Sequence, residues 1–194
     1  MNNDLKLSFE NNINESINLL KELKKSFKKI NKYVDIIHTS LSNNGKVLIC
    51  GNGGSAADAT HFAAEFIGRF SKNINRKPLP CISLNTDTSS ITAISNDFNF
   101  SDIFSRQLEA LGNKKDILIT LSTSGNSSNI INLIKKSKEL KIKTINFIGS
   151  NGGKSLNLSN EQIIINSENT ARVQEIHMFL LHTIINFLEI KYYS

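Results

Sequence analysis

His61 and Glu65 stand four residues apart in Ala56-Ala57-Asp58-Ala59-Thr60-His61-Phe62-Ala63-Ala64-Glu65. In a helix that spacing puts them roughly 40° apart on one face, one turn above the other. An imidazole and a carboxylate so placed can hold one metal ion, or share proton transfer on one substrate. A plain surface ion pair is the alternative, and the residues before the helix weigh against it. Val47 to Cys50 is an apolar run without polar alternation, as in a strand buried on both faces of a parallel sheet. Gly51, Gly53 and Gly54 follow, so the backbone there turns sharply or is closely approached. Ser55 reads as a helix N-cap ahead of an Ala-rich run. Strand, glycine loop and helix N-terminus together offer backbone N–H groups to an anion. The loop is not a P-loop, since no Gly-Lys-Ser/Thr follows. Ala56 stands where a dinucleotide fingerprint needs its third glycine.

A second strand–loop–helix unit carries Ser122-Thr123-Ser124-Gly125-Asn126-Ser127-Ser128. Hydroxyls beside backbone N–H groups at a helix N-terminus make a phosphate site without lysine. A Ser-rich turn is the bland alternative. A third group lies on the last helix, where Gln174, His177 and His182 interrupt an otherwise very apolar stretch. His38 has no partner near it in sequence and reads as structural.

The elements that must position these groups follow from periodicity. Leu5, Phe9, Ile13, Ile17 and Leu20 recur at helical spacing and suggest one long helix over 5–30. A second helix over 31–43 carries Val34, Ile37 and Leu41 and stops at Asn44-Gly45. These two cover part of the sheet or bundle with a second subunit. Strands are expected at 47–50, 81–84, 116–121, 143–149 and 162–165. Between and after them, helices are expected from Ser55, up to Ile94, over 102–111, up to Leu140, and over 168–191. Ser95-Asn96-Asp97-Phe98-Asn99-Phe100 reads as a loop closing over a ligand, with Asp97 or Asp102 capping the helix over 102–111 as the alternative. Alternating strands and helices give a three-layer α/β/α sandwich with a five-stranded parallel sheet, preceded by N-terminal helices. The expected organisation is a single domain, with 1–44 for packing and oligomerisation and 45–194 as the α/β core. Ligands in such sheets sit beyond the strand C-termini, and both loops, 51–55 and 122–127, leave such ends.

Composition narrows the classes. The 194 residues are 39% hydrophobic with two prolines, which argues against wholesale disorder. No apolar run approaches the roughly 20 residues of a membrane span. Met1-Asn2-Asn3-Asp4 lacks the features of a secretory signal. Cys50 and Cys81 form no C-x-x-C and fit buried thiols in a reducing, cytoplasmic setting. The net charge of +6 sits largely in helical lysine clusters, read as solvated faces rather than a nucleic-acid surface. A mild positive field also draws phosphorylated substrates.

Cys50-Gly51-Asn52-Gly53-Gly54-Ser55 with His61 and Glu65, Asn96-Asp97-Phe98, Phe104-Ser105-Arg106, Ser122 to Ser127, and Ala171 to His177 with His182 together resemble the phosphoheptose isomerases of the sugar-isomerase (SIS) family. The resemblance spans nearly the whole chain, in five ordered motifs. It implies a cytoplasmic homotetramer that converts sedoheptulose 7-phosphate to D-glycero-D-manno-heptose 7-phosphate, the first step toward the heptose of lipopolysaccharide or capsule. It also implies a role for each matching residue. Ser122, Thr123, Ser124 and Ser127 hold the phosphate. Asn52, Gly53, Gly54, Ser55, Asn96 and Asp97 line the sugar, with Glu65 and Gln174 also at the substrate. Glu65 and His182 are the acid/base pair. His61, Glu65, Gln174 and His182 match the ligands of zinc-binding members, one ion per subunit. Gln174 and His182 are eight apart, about 12 Å along a helix, too far for one ion. The site is therefore expected between subunits, with these two residues from different chains. Ser95 and Asn99 replace glycines usual in the family. The rival readings are a non-catalytic relative that binds a replication initiator, which retention of Glu65 and His182 disfavours, and an isomerase of another sugar phosphate.

Overall fold

The computed structural model describes residues 3–194. Two N-terminal helices, α1 (Asn3–Leu23) and α2 (Phe27–Ser42), are joined by a 3-10 turn, Lys24–Ser26. The alternating part follows as β1 (Val47–Cys50), α3 (Gly54–Ile67), β2 (Cys81–Ser83), α4 (Thr88–Asp97) and α5 (Ile103–Leu111). It continues with β3 (Ile117–Ser122), α6 (Ser128–Glu139), β4 (Lys143–Gly149), β5 (Glu161–Ile165) and α7 (Thr170–Tyr192).

The sheet order is β2-β1-β3-β4-β5, and every pair is parallel. The chain starts at β1, steps to β2 on one side, then crosses to β3 on the other. The gap between the C-terminal ends of β1 and β3 is thus the switch point where open parallel sheets bind ligands. Successive strand residues face opposite layers. Val47, Ile49, Ile117, Ile119 and Phe147 pack under α2, α3 and α7, while Leu48, Cys50 and Leu118 pack under α5 and α6. The expected three-layer sandwich is therefore the observed one. Cys50 and Cys81 are buried and unbridged.

Three boundaries differ from the sequence reading. The break between the first helices falls at 24–26 rather than 30, because Ile30, Tyr33, Val34 and Ile37 must all reach the sheet from one helix. α1 lies mostly outside that core: only Leu19 is buried. Leu5, Phe9, Ile13, Ile17 and Leu20 are 38–70% exposed, so much of the apolar stripe stays uncovered among the described residues. Ser55 is not the N-cap of α3. Gly53, at φ +57°, occupies that position, and Ser55 is buried inside the first turn. Asn96 and Asp97 form the last turn of α4 instead of a loop.

No helix among the described residues is long and apolar enough to cross a membrane. The leader reading at Met1-Asn2 lies outside the described residues.

Candidate active site

β1 and β3 are short, fully buried strands, so they deliver the loops after them to one edge of the sheet with little freedom. In the first loop Gly53 turns the chain into α3, and the Ser55 N–H donates to the Asn52 carbonyl at 3.1 Å. Gly54 lies close to α7: a Cβ there would sit 2.6 Å from the Gln174 amide. Gln174, on the first turns of α7, thus lies against the N-terminus of α3.

The second loop is braced from both ends. Ser122 Oγ accepts from the Gly125 N–H at 3.1 Å, and Ser124 Oγ accepts from the Asn126 N–H at 3.1 Å. The Gly125 carbonyl accepts from the Ser155 N–H at 2.8 Å. Asn126 Oδ1 accepts from the Lys154 N–H at 3.0 Å. Ser127 stands at the N-cap of α6 but makes no side-chain cap bond, so its hydroxyl is unspent. Neither serine oxygen acting as an acceptor has yet used its proton, so this loop presents hydroxyl donors at a helix N-terminus, as an oxyanion requires.

Further along α3, His61 Nε2 lies 3.1 Å from Glu65 Oε1 and 3.4 Å from His182 Nε2. One ligand atom from each of the three residues fits within 4.8 Å of the others. Metal ligands at about 2.0–2.1 Å in a tetrahedral shell lie about 3.3 Å apart, so the three side chains are close enough to hold one ion, although 3.1 Å is also an ordinary hydrogen-bond distance. Two imidazoles with a carboxylate are also a borderline-soft donor set that suits zinc. Burial first, then the neighbouring His61, holds the His182 imidazole below its ordinary pKa, with Glu65 opposing. A neutral ring is the form that ligates a metal or accepts a proton.

Gln174 does not join this cluster. α3 and α7 run alongside each other, with Gln174 at Gly54 and His182 at His61. Eight residues of helix, about 12 Å, separate the two on α7. An open groove of about 550 Å³ runs between them, lined by Asp58, Gln174, Glu175, Met178, Phe179 and His182. Asp58 Oδ2 lies buried in its wall without a hydrogen-bond partner. Asn96 donates to Asp97 at 2.8 Å on the exposed end of α4. No hydrogen bond among the described residues joins that pair to either loop. Asp102 stands at the N-cap of α5, as one alternative expects, but its side chain makes no cap bond; at the start of α4, Asp87 Oδ1 accepts from the Ser90 N–H at 3.0 Å. Arg106 lies over the Phe98 ring at 3.8 Å. Ser95 is helical and Asn99 extended, so neither strains for lack of a glycine.

His177 separates from His182. It is fully buried over the edge of the Phe147 ring, away from the cluster. His38 stacks on Tyr192 at 3.5 Å, as befits a structural histidine.

Sequence reasoning missed four supports. Glu189, fully buried on α7, accepts from Arg76 Nε at 2.7 Å and from the Phe70 and Ser71 N–H groups. Arg76 in turn donates to the Glu65 and Phe66 carbonyls, which pins the end of α3 to α7 and so fixes His61 against His182. Asn85 and Asn129 grip the glycine loop. A lone Arg or Asn in a loop, or an Asn in the first turn of a helix, carries no periodic signal that would have marked it.

The fold, the two loops at the switch point and the histidine–glutamate cluster define the class, an SIS-domain protein: residues 11–149 match the family model described as SIS domain. A phosphoheptose isomerase of Helicobacter pylori is 47% identical over 171 residues, 88% of each chain. The structure of a phosphoheptose isomerase from Neisseria gonorrhoeae superimposes with a TM-score of 0.87 at 37% identity, covering 96% of this chain and 99% of that one. One from Francisella tularensis gives 0.85 at 33%, covering 97% and 98%. This chain belongs to the phosphoheptose isomerase family.

Proposed function

We propose that this protein is an aldose–ketose isomerase that converts sedoheptulose 7-phosphate to D-glycero-D-manno-heptose 7-phosphate through an enediol. The product would enter the synthesis of heptose precursors for lipopolysaccharide or capsule. The observation that carries the reading is the pairing of an anion cradle at the β1/β3 switch point with the His61–Glu65–His182 cluster on the helix that the first loop begins.

Ser122, Thr123, Ser124 and Ser127 receive the phosphate, and Asn52 to Ser55 with Asn96, Asp97 and Gln174 receive the sugar. Glu65 takes the proton from C1 of the ketose, and the electron pair left behind forms the C1–C2 double bond of the enediol. The same carboxyl returns the proton to C2 to give the aldose. His182, neutral at the outset, moves the proton between the two oxygens. A zinc ion held by His61, Glu65, Gln174 and His182, one per subunit, would polarise the substrate oxygens.

The protein acts as a homotetramer with its sites between subunits. Two features support this: the largely uncovered apolar stripe of α1, and the separation of Gln174 from His182 on one helix. Gln174 of a second chain then completes each metal site. The assigned setting is the cytoplasm, and no nucleic acid or membrane takes part.

The test is direct. The purified protein is incubated with sedoheptulose 7-phosphate, with and without a chelator, and the aldose is followed by NMR. Formation of the aldoheptose phosphate supports the reading. Turnover of another sugar phosphate in its place, or none at all, rejects it. Turnover that survives chelation keeps the isomerase and removes the metal.

A further inference from the structure

Asn52 and Asn129 face each other across the gap between the exits of β1 and β3. They exchange two hydrogen bonds: Asn52 Nδ2 donates to Asn129 Oδ1 at 2.9 Å, and Asn129 Nδ2 donates to Asn52 Oδ1 at 2.8 Å. Asn129 Oδ1 also accepts from the Ile130 N–H at 2.9 Å, and the residue is 1% exposed. A buried amide is costly unless satisfied, so this side chain has little choice of partner. Gly51, next to Asn52, is held from the opposite side. Asn85 Oδ1 accepts from the Gly51 N–H at 3.1 Å, and Asn85 Nδ2 donates to the Gly51 carbonyl at 2.8 Å. Residues 51 and 52 are thereby clamped between the end of β2 and the first turn of α6. Gly53 and Gly54 beyond them have no side chains with which to hold a shape, so the clamp sets where they lie.

We propose that Asn129 is a positioning residue for the isomerase, acting through Asn52 to hold the glycine loop in register with the hydroxyl loop. Asn129 sits two residues after Ser127, on the turn that opens α6. The phosphate grip and the anchor are therefore one rigid piece. The glycine loop in turn begins α3, which carries His61 and Glu65. A phosphate seated at 122–127 is thus placed at a fixed distance from the acid/base end through a single amide pair. Asn52 spends one donor and one acceptor on that pair and meets a sugar with its backbone or its remaining N–H.

This inference rests on the sugar-phosphate reading, and the test separates the two. Asn52→Ala, Asn129→Ala and the double variant are compared in kcat, KM for sedoheptulose 7-phosphate, melting temperature, and backbone amide exchange at residues 51–55. Each single change is expected to raise KM and lower kcat together. The combined loss in kcat/KM is about tenfold, and the double variant is no worse than the poorer single one. Amide exchange at Gly51 and Ser55, whose N–H groups donate to Asn85 Oδ1 and to the Asn52 carbonyl, speeds up in all three. Asn52 is only half-buried, so Asn52→Ala keeps the test open if Asn129→Ala fails to fold. Asn129→Leu, which keeps the volume without the bonds, serves as a second probe. Lower melting temperatures with unchanged kcat and KM make the pair merely structural and overturn the proposal. So do losses that multiply in the double variant. A wild-type chain inert toward the sugar phosphate rejects the isomerase reading instead. Amide exchange then still reports whether Asn129 holds the loop, and unchanged exchange overturns that too.

Discussion

His182 Nε2 lies 3.4 Å from His61 Nε2, although 121 positions separate them in the chain. Two imidazole nitrogens this close cannot both carry protons without repulsion, and Glu65 completes the group from one turn along α3. The rest of the molecule serves to make that approach repeatable.

The first prediction concerns the metal. Zinc titrated by calorimetry into chelator-treated protein should bind at about one ion per chain. At a hundredfold excess over its dissociation constant it should raise the melting temperature by roughly 5–10 °C. His182→Ala and His61→Ala should each abolish the shift. A shift that survives both substitutions places the ion elsewhere.

Ser127 supplies a second. Its hydroxyl makes no cap bond, so Ser127→Ala should leave the melting temperature nearly unchanged. Losing one hydrogen bond to a charged phosphate oxygen should raise KM about 10- to 100-fold. An unaltered KM removes Ser127 from the phosphate site.

Acid should weaken the fold through His177. Neither ring nitrogen meets a partner in full hydrogen-bond geometry, and burial pushes the imidazole down from 6.5 to about 4, opposed by the nearby Ile148 backbone. The unfolded chain takes up this proton near pH 6.5 and the folded chain only near pH 4. The contribution is therefore complete above pH 6.5 and is lost as pH falls toward 4, by roughly 3 kcal/mol in all. Urea unfolding of wild type and His177→Leu across that window measures it. The variant should show the shallower dependence, and equal slopes would exclude His177 as the cause.

Glu189 and Arg76 form an ion pair with essentially no solvent access. Glu189→Ala strands the guanidinium and two backbone N–H groups, at a cost of about 3–5 kcal/mol. Because Arg76 also ties down the Glu65 carbonyl, activity should fall before the chain unfolds globally. Denaturant unfolding together with kcat checks both halves. Full kcat in a destabilised variant uncouples this support from the site.

Much of this was readable in the residues because it repeats. The unbroken apolar run at 47–50 and the mostly apolar one at 117–121 mark buried parallel strands, and alternation with amphipathic helices gives the three layers. The His61–Glu65 spacing needed only the helix. What stayed hidden depends on tertiary pairing. The helix break at Lys24–Ser26 contains no glycine or proline, and the backbone stays right-handed on both sides, so composition leaves no mark. Ser55 has the right chemistry for a cap, but a glycine with positive φ two residues earlier starts the helix first. His177 and His182 look alike in sequence. Only packing against Phe147 on one side and His61 on the other tells them apart. Asn129 and Arg76 act across more than one element, and nothing near them in the chain announces it.

The central claim is that Glu65 moves hydrogen on a sugar carbon, and exchange with solvent reads this most directly. Sedoheptulose 7-phosphate is incubated in D2O with wild type and with Glu65→Gln, and deuterium at the substrate carbons is followed by NMR. Wild type should introduce deuterium, and Glu65→Gln should slow that by about 100-fold or more. Deuterium entering at the wild-type rate in Glu65→Gln contradicts the account.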